Sequence, residues 1–195
     1  MPVKIGVLAI QGDFAEHVAI LRRLGIETAE VRLAAHLAGL DGLIIPGGES
    51  TTIGKLAVTF GLLDPLRRFA AAHPIWGTCA GAILLSRDAK RDQPLLGVMD
   101  ITIQRNAFGR QVESFEADLL VSALPDPERP FHAVFIRAPL IERAGKGVEI
   151  LARLPDSKAG PIVAARQGNL LATSFHPELT NDDRFHRYFL SLVEG

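Results

Sequence analysis

A single cysteine, Cys79, stands in the 195 residues, which excludes an intrachain disulfide and a cysteine-built zinc site. Neither sign of charge is in excess: 21 Lys and Arg face 22 Asp and Glu, a formal net of −1. Nucleic-acid and anionic-membrane binders usually show a basic excess, so the sequence predicts no nucleic-acid partner and no membrane partner. No apolar run approaches the ~20 residues that span a bilayer. A typical stretch, Leu56 to Leu63, is closed by Lys55 and Asp64. The opening Met1-Pro2-Val3-Lys4 leads into a strand-like segment without a cleavable leader pattern, and no repeat or low-complexity tract is evident. What is present is a globular composition, 48% hydrophobic and 22% charged. The expectation is one cytoplasmic α/β domain over residues 1–195.

Apolar runs ending in Gly or Pro turns organise the first half. Lys4 to Ile10 has the look of a buried strand and ends at Gln11-Gly12. Asp13 then fits a helix N-cap, with Phe14, Val18, Leu21 and Leu24 at helical spacing until Gly25. Strands are expected at Ile26 to Val31, Gly42 to Ile45 and Pro74 to Trp76, and helices at Thr51 to Thr59, Asp64 to Ala72 and Ala80 to Ser86. Alternation of this kind predicts parallel βαβ units covered on both faces. From Val98 to Ser174 the segments read mostly as strands: Val98 to Gln104, Val112 to Leu120, Phe131 to Ile136, Val148 to Leu154, Pro161 to Arg166 and Leu170 to Ser174. Gln167-Gly168-Asn169 fits a hairpin turn, and a last helix from about Asn181 to Val193 would bury Phe185, Phe189 and Leu192. The fold expected is a three-layer α/β/α domain, a mostly parallel central sheet with an antiparallel extension.

Three motifs carry chemistry. Gly77-Thr78-Cys79-Ala80-Gly81 lies between a strand and a helix, the setting of a nucleophile elbow. The glycines permit a tight turn, and the helix N-terminus favours a thiolate. The bland alternative is a cysteine that merely fills a small core position. Ser174-Phe175-His176-Pro177-Glu178-Leu179 follows the last strand, and in an extended segment positions i and i+2 face one side, so Glu178 reaches His176. A carboxylate that orients an imidazole toward a nucleophile is the triad arrangement. Pro46-Gly47-Gly48-Glu49-Ser50-Thr51-Thr52 fails as a Walker loop, because Gly48 and Gly54-Lys55 are separated by five residues and Leu56 stands where Ser or Thr should. It suits an oxyanion loop instead, with the amides of Gly48 and Ala80 as donors. His176, Glu178, Asp182 and His186 lack the spacing of a metal site, so no metal is expected. The remaining histidines, His17 on the first helix and His186 on the last among them, carry no role in this reading.

These three motifs together resemble the triad (class I) glutamine amidotransferases. Ile5-Gly6-Val7-Leu8-Ala9-Ile10-Gln11-Gly12, Arg105-Asn106-Ala107-Phe108-Gly109-Arg110-Gln111 and Phe135-Ile136-Arg137-Ala138-Pro139 narrow the resemblance to the glutaminase subunits of two-component pyridoxal 5′-phosphate synthases. The similarity runs from the first strand to the last helix. One departure is Ile83, four residues after the cysteine, where larger members of the wider family often carry Gln.

The resemblance implies a flavodoxin-like fold and hydrolysis of L-glutamine to glutamate and ammonia. Cys79 would be the nucleophile, His176 its base and then acid, and Glu178 the residue that orients His176. Gly48, Glu49 and Ser50 match the glutamine-contact loop, and Arg105, Ile136 and Arg137 match the remaining substrate contacts. An arginine suits the substrate α-carboxylate and Glu49 its α-ammonium. Gln11 matches a position that sets the oxyanion loop when the synthase docks. No cofactor is implied on this chain, and the partner implied is a separate synthase subunit that receives the ammonia. Other readings stay open on the sequence alone: a cysteine-elbow peptidase or deglycase-like hydrolase, a non-catalytic regulatory subunit, and the glutaminase of another biosynthetic pair such as the imidazole-glycerol-phosphate system.

Overall fold

A computed structural model describes residues 2–105, 113–155 and 160–195. Parallel strands form one half of the main sheet: β1 (Lys4–Leu8), β2 (Glu27–Val31), β3 (Gly42–Ile45), β4 (Ile75–Thr78) and β12 (Leu170–Thr173), in the order β2-β1-β3-β4-β12. The sheet continues through β11 (Ile162–Gln167), β9 (Leu140–Ala144), β6 (Met99–Gln104) and β5 (Ser86–Asp88). The β12–β11, β11–β9 and β9–β6 pairs are antiparallel, while β5 runs parallel to β6. β10 (Glu149–Arg153) also pairs with β11, and β7 (Ser114–Leu119) and β8 (Phe131–Ile136) form a separate antiparallel ribbon.

The central strands are apolar throughout because both of their faces are covered, as in parallel sheets generally. Period-two alternation divides them between two cores. Leu43, Ile45, Ile75, Leu170 and Ala172 point to one side, with α2 (Ser50–Thr59), α3 (Leu63–Ala72) and α4 (Ala80–Leu85). Ile44, Trp76 and Leu171 point to the other, with α1 (Phe14–Arg23), α5 (Arg184–Glu194) and the β7–β8 ribbon. The result is the three-layer α/β arrangement expected, with its antiparallel extension.

Some local expectations are corrected by the structure. Asp13 stands at the N-cap position of α1, but its side chain makes no cap hydrogen bond. The last helix begins at Arg184, after Asp182 has been drawn onto the Arg184 guanidinium. Strands β5 and β9 are additions to the expected set: β5 has three residues, and β9 reads Leu-Ile-Glu-Arg-Ala, with charge at consecutive positions. The Gln167-Gly168-Asn169 turn does join an antiparallel pair, with Gln167 opposite Leu170. Residues 106–111 of the arginine-containing motif, and the start of the strand expected from Val112, lie outside the described residues.

Candidate active site

β1 has β2 on one side and β3 on the other, so the loops leaving β1 and β3 diverge and open a crevice at the carboxyl ends of the parallel strands. The chain following β1, β3, β4 and β12 supplies Asp13, Gly48, Cys79 and His176 to a cavity of about 460 Å³. Glu49, Ser50, Ala80, Ile83, Arg105, Ile136, Arg137 and Pro139 complete its lining. Of the site residues singled out in the sequence, only Glu178 and Gln11 are not in that lining, and both bond to groups in or beside it.

Cys79 occupies the turn between β4 and α4 with φ 49° and ψ −104°, a positive-φ conformation outside the allowed regions and costly for a residue with a Cβ. Its amide N–H donates to the Thr173 carbonyl at 2.8 Å, which ties the turn to β12. The flanking glycines permit the tight passage. A Cβ on Gly77 would overlap Gly81, and one on Gly81 would overlap the Ile45 carbonyl of β3. Cys79 is 7% exposed, and its Sγ faces the Ile136 carbonyl at 4.0 Å.

His176 hangs from the end of β12, its N–H donating to the Val134 carbonyl of β8 at 2.8 Å. An extended segment would place His176 and Glu178 at alternate positions; instead Pro177–Leu179 is a 3₁₀ turn with His176 at its N-cap. Pro177 suits that first turn because its fixed φ is helical and its missing N–H goes unneeded there. The turn still delivers Glu178 Oε1 to His176 Nδ1 at 2.6 Å. Asp13 Oδ2 lies 3.6 Å from the same nitrogen, an outer contact that its reading as a helix cap does not anticipate. Gly47 makes room for this imidazole, since a Cβ there would come within 2.5 Å of His176 Cε1.

Burial alone would lower the pKa of His176, but its hydrogen bonds to Cys79 and Glu178, and their negative charge, push it up to about 10. The imidazolium is thereby favoured at neutral pH; burial pushes the Glu178 carboxyl up, and its bond to His176 opposes that rise. With the folded value above the ordinary ~6.5, this stabilisation is complete below that ordinary value and is lost as pH rises through about 10. Urea unfolding of wild type and His176→Ala should show their stability difference shrinking across that window. A pH-independent difference would contradict the ion pair.

The Gly47–Glu49 loop is held from β1. The Glu49 N–H donates to Gln11 Oε1 at 2.8 Å, and the Asp13 N–H donates to the Gly47 carbonyl at 3.1 Å. Gly48 sits at φ 152°, and a Cβ there would meet Gln11 Oε1 at 2.5 Å, so glycine lets loop and glutamine close together. The Glu49 carboxylate caps α2, accepting from the N–H groups of Thr51 and Thr52 at 3.2 and 2.7 Å. Partial burial opposes its ionisation, but these bonds and the Thr52 hydroxyl lower its pKa to about 2. Arg105 donates to Glu49 Oε1 at 3.2 Å and to Thr51 Oγ1 and Gln93 Oε1 at 3.1 and 3.0 Å. Arg137, at φ 44°, is mostly exposed and pairs with Glu113 at 3.0 Å. Glu49 and Arg105 are thus paired with each other across the rim of the cavity.

The four residues whose spacing argued against a metal site are not gathered. Asp182 is bound by Arg184, and His186 is buried against His17. The cluster of possible ligand atoms among the described residues is Asp13, His176 and Glu178, in which the imidazole Nδ1 already bonds to Glu178.

Comparison with known proteins places the chain in a family. Residues 7–195 match the model of the SNO glutamine amidotransferase family. The chain is 60% identical over 193 residues to "Pyridoxal 5′-phosphate synthase subunit PdxT" of Herpetosiphon aurantiacus, covering 96% of this chain and 99% of that protein. The protein of the same name from Roseiflexus sp. (strain RS-1) is 58% identical over 192 residues, with coverage of 96% and 99%. A crystal structure described as a glutamine amidotransferase superposes with TM-score 0.90 at 55% identity, covering 98% of this chain and 99% of that one. The structure of PurLQS from Thermotoga maritima, at 16% identity and TM-score 0.74 with coverage of 98% and 99%, shares the fold. An elbow cysteine, an imidazole–carboxylate pair and a glycine loop meet in one crevice of the sheet, and the chain belongs to the SNO glutamine amidotransferase family.

Proposed function

We propose that the chain is the glutaminase subunit of pyridoxal 5′-phosphate synthase, hydrolysing L-glutamine to glutamate and ammonia through a thioester on Cys79. The observation that carries this reading is the cavity in which Cys79 and His176, backed by Glu178, meet the Gly48–Ser50 loop. Its size suits one amino acid. The Cys79 thiolate attacks the side-chain amide carbon, and the oxyanion is taken by the amides of Gly48 and Ala80. His176 protonates the departing nitrogen, the C–N bond breaks, and ammonia leaves a γ-glutamyl thioester. Neutral His176 then takes a proton from water, hydroxide attacks the thioester, and the cysteine returns as thiolate beside imidazolium. Glu178 keeps the Nδ1–H tautomer through both steps.

Arg105, Arg137 and Ile136 frame the substrate's far end, with arginine for its carboxylate and Glu49 for its ammonium. Because Glu49 and Arg105 pair in the free chain, glutamine binding exchanges that contact for one with substrate. Gln11, through its bond to the Glu49 N–H, sets the loop that carries Gly48. A separate synthase subunit is the partner and consumes the ammonia. Location in the cytoplasm fits this role; no helix among the described residues is long and apolar enough to cross a membrane.

The test is ammonia release from glutamine by the chain alone and with the pyridoxal-phosphate synthase subunit. Turnover that rises severalfold or more on adding the synthase supports both the chemistry and the partner. Turnover indifferent to that synthase removes the pairing, and no turnover of glutamine in either state removes the glutaminase reading.

A further inference from the structure

Behind the triad carboxylate lies a polar pair that the thioester chemistry leaves unused. His17 of α1 and His186 of α5 are both fully buried, and His17 Nδ1 meets His186 Nε2 at 3.0 Å. His17 Nε2 in turn lies 3.3 Å from Glu178 Oε2. That oxygen has no aligned hydrogen bond among the described residues, whereas Oε1 already accepts from His176. Cys79, His176, Glu178, His17 and His186 thus form one continuous row.

We propose that His17 is a positioning residue of the triad, its Nε2–H steering the second oxygen of Glu178, and that His186 fixes the His17 tautomer that carries this proton. The inference rests on the reading of Cys79, His176 and Glu178 as the catalytic triad.

The placement of protons assigns the tautomers. Burial first, then the neighbouring His186 and His176, drives the His17 pKa well below the ordinary range, and burial takes that of His186 down to about 3. Both rings are neutral at pH 7, so each carries one N–H. One ring must donate and the other accept across the 3.0 Å contact. His186 Nδ1 has no partner among the described residues, so a proton there would be a buried donor left unsatisfied. Its proton belongs on Nε2, where it donates to His17 Nδ1. The His17 proton then belongs on Nε2, 3.3 Å from Glu178 Oε2, and Thr78 Oγ1 accepts in its 3.4 Å hydrogen bond with the same nitrogen. The opposite assignment would set the His17 lone pair against a carboxylate oxygen, two buried acceptors in contact.

Packing keeps both rings in place. His17 and His186 lie edge-on to the Trp76 indole, with centroids 5.7 and 5.0 Å away. The turn leading from β1 into α1 also carries the Gln11 and Asp13 contacts to the glycine loop. The segment from Gln11 to His17 therefore anchors that loop at its start and faces the triad carboxylate a turn into α1.

His17→Gln places an amide nitrogen near the original Nε2, while His17→Leu keeps bulk without a donor. With the synthase subunit present, kcat for glutamine hydrolysis should fall about 10–100-fold in the leucine variant, as for other outer partners of catalytic groups. KM should hold, and the glutamine variant should recover most of the loss. Equal kcat in all three proteins, or equal loss in both variants, would overturn the proposal. Imidazole ¹⁵N NMR of the wild-type chain is a second test that needs neither activity nor a folded variant. The proposal requires neutral His17 protonated at Nε2; protonation at Nδ1 would sink it. Should glutamine turnover prove independent of Cys79, the triad reading falls, while the spectrum still judges the contact between His17 and Glu178.

Discussion

Loss of glutamine-dependent ammonia release by about 10⁴-fold or more is the expected result of Cys79→Ala, measured with the synthase subunit present. Glu178→Gln should fall between this and wild type, by about 10²–10⁴-fold in kcat with KM little changed. The first removes the attacking sulfur; the second follows from the hydrogen bond of 2.6 Å between His176 Nδ1 and Glu178 Oε1. The bond keeps Nε2 of the imidazole facing the sulfur, and the carboxylate charge helps hold the imidazolium form. A glutamine at 178 removes that charge. It can still accept from His176 with its carbonyl, but its amide NH₂ then meets the Nε2–H proposed for His17, donor against donor. Turning the amide around relieves one contact and spoils the other. Wild-type kcat in Glu178→Gln would show that orientation of His176 does not limit the reaction.

Gly81→Ala is expected to destabilise the chain by about 3 kcal/mol or more, the upper range for overpacking. The added methyl would overlap the Ile45 carbonyl, which is backbone of a central strand and has no rotamer to change. For a chain of this size the loss corresponds to a fall in Tm of roughly 6–12 °C. Gly25→Ala is the proper comparison. That glycine also has positive φ, 78°, but nothing lies within 4 Å of a built Cβ, so only the left-handed backbone cost of about 1 kcal/mol applies. Thermal unfolding of the two variants separates steric exclusion from backbone strain, and equal Tm values would refute the account of the elbow.

The parallel half of the fold is legible in the sequence because its strands are continuous apolar runs closed by glycine or proline, and its helices show clear stripes. The other half is legible strand by strand except at β5 and β9. Three residues are too few to show a period, and Glu142-Arg143 breaks the alternation of β9, whose pairing with β6 and β11 comes from distant sequence. At the site, residues at tight turns can be read, since an elbow and a glycine loop leave local signatures. Asp13 cannot, because an aspartate before a helix has the same spelling whether it caps the helix or faces a cleft.

His17 and His186 leave only a faint signal. His17 falls among Phe14, Val18 and Leu21 on the inward stripe of α1, and His186 stands between Phe185 and Phe189 on that of α5. A histidine on a buried stripe needs a polar partner from another element. Naming that partner requires the fold.

Trp76 is the only tryptophan in the chain, and its indole lies against His186 and His17, with Nε1–H donating to Thr173 Oγ1 at the end of β12. The molecule therefore carries a single near-ultraviolet fluorophore of its kind, placed between the central sheet and the imidazoles behind Glu178. Its emission samples that layer alone, so a spectral change on docking or substrate binding has one address in the structure.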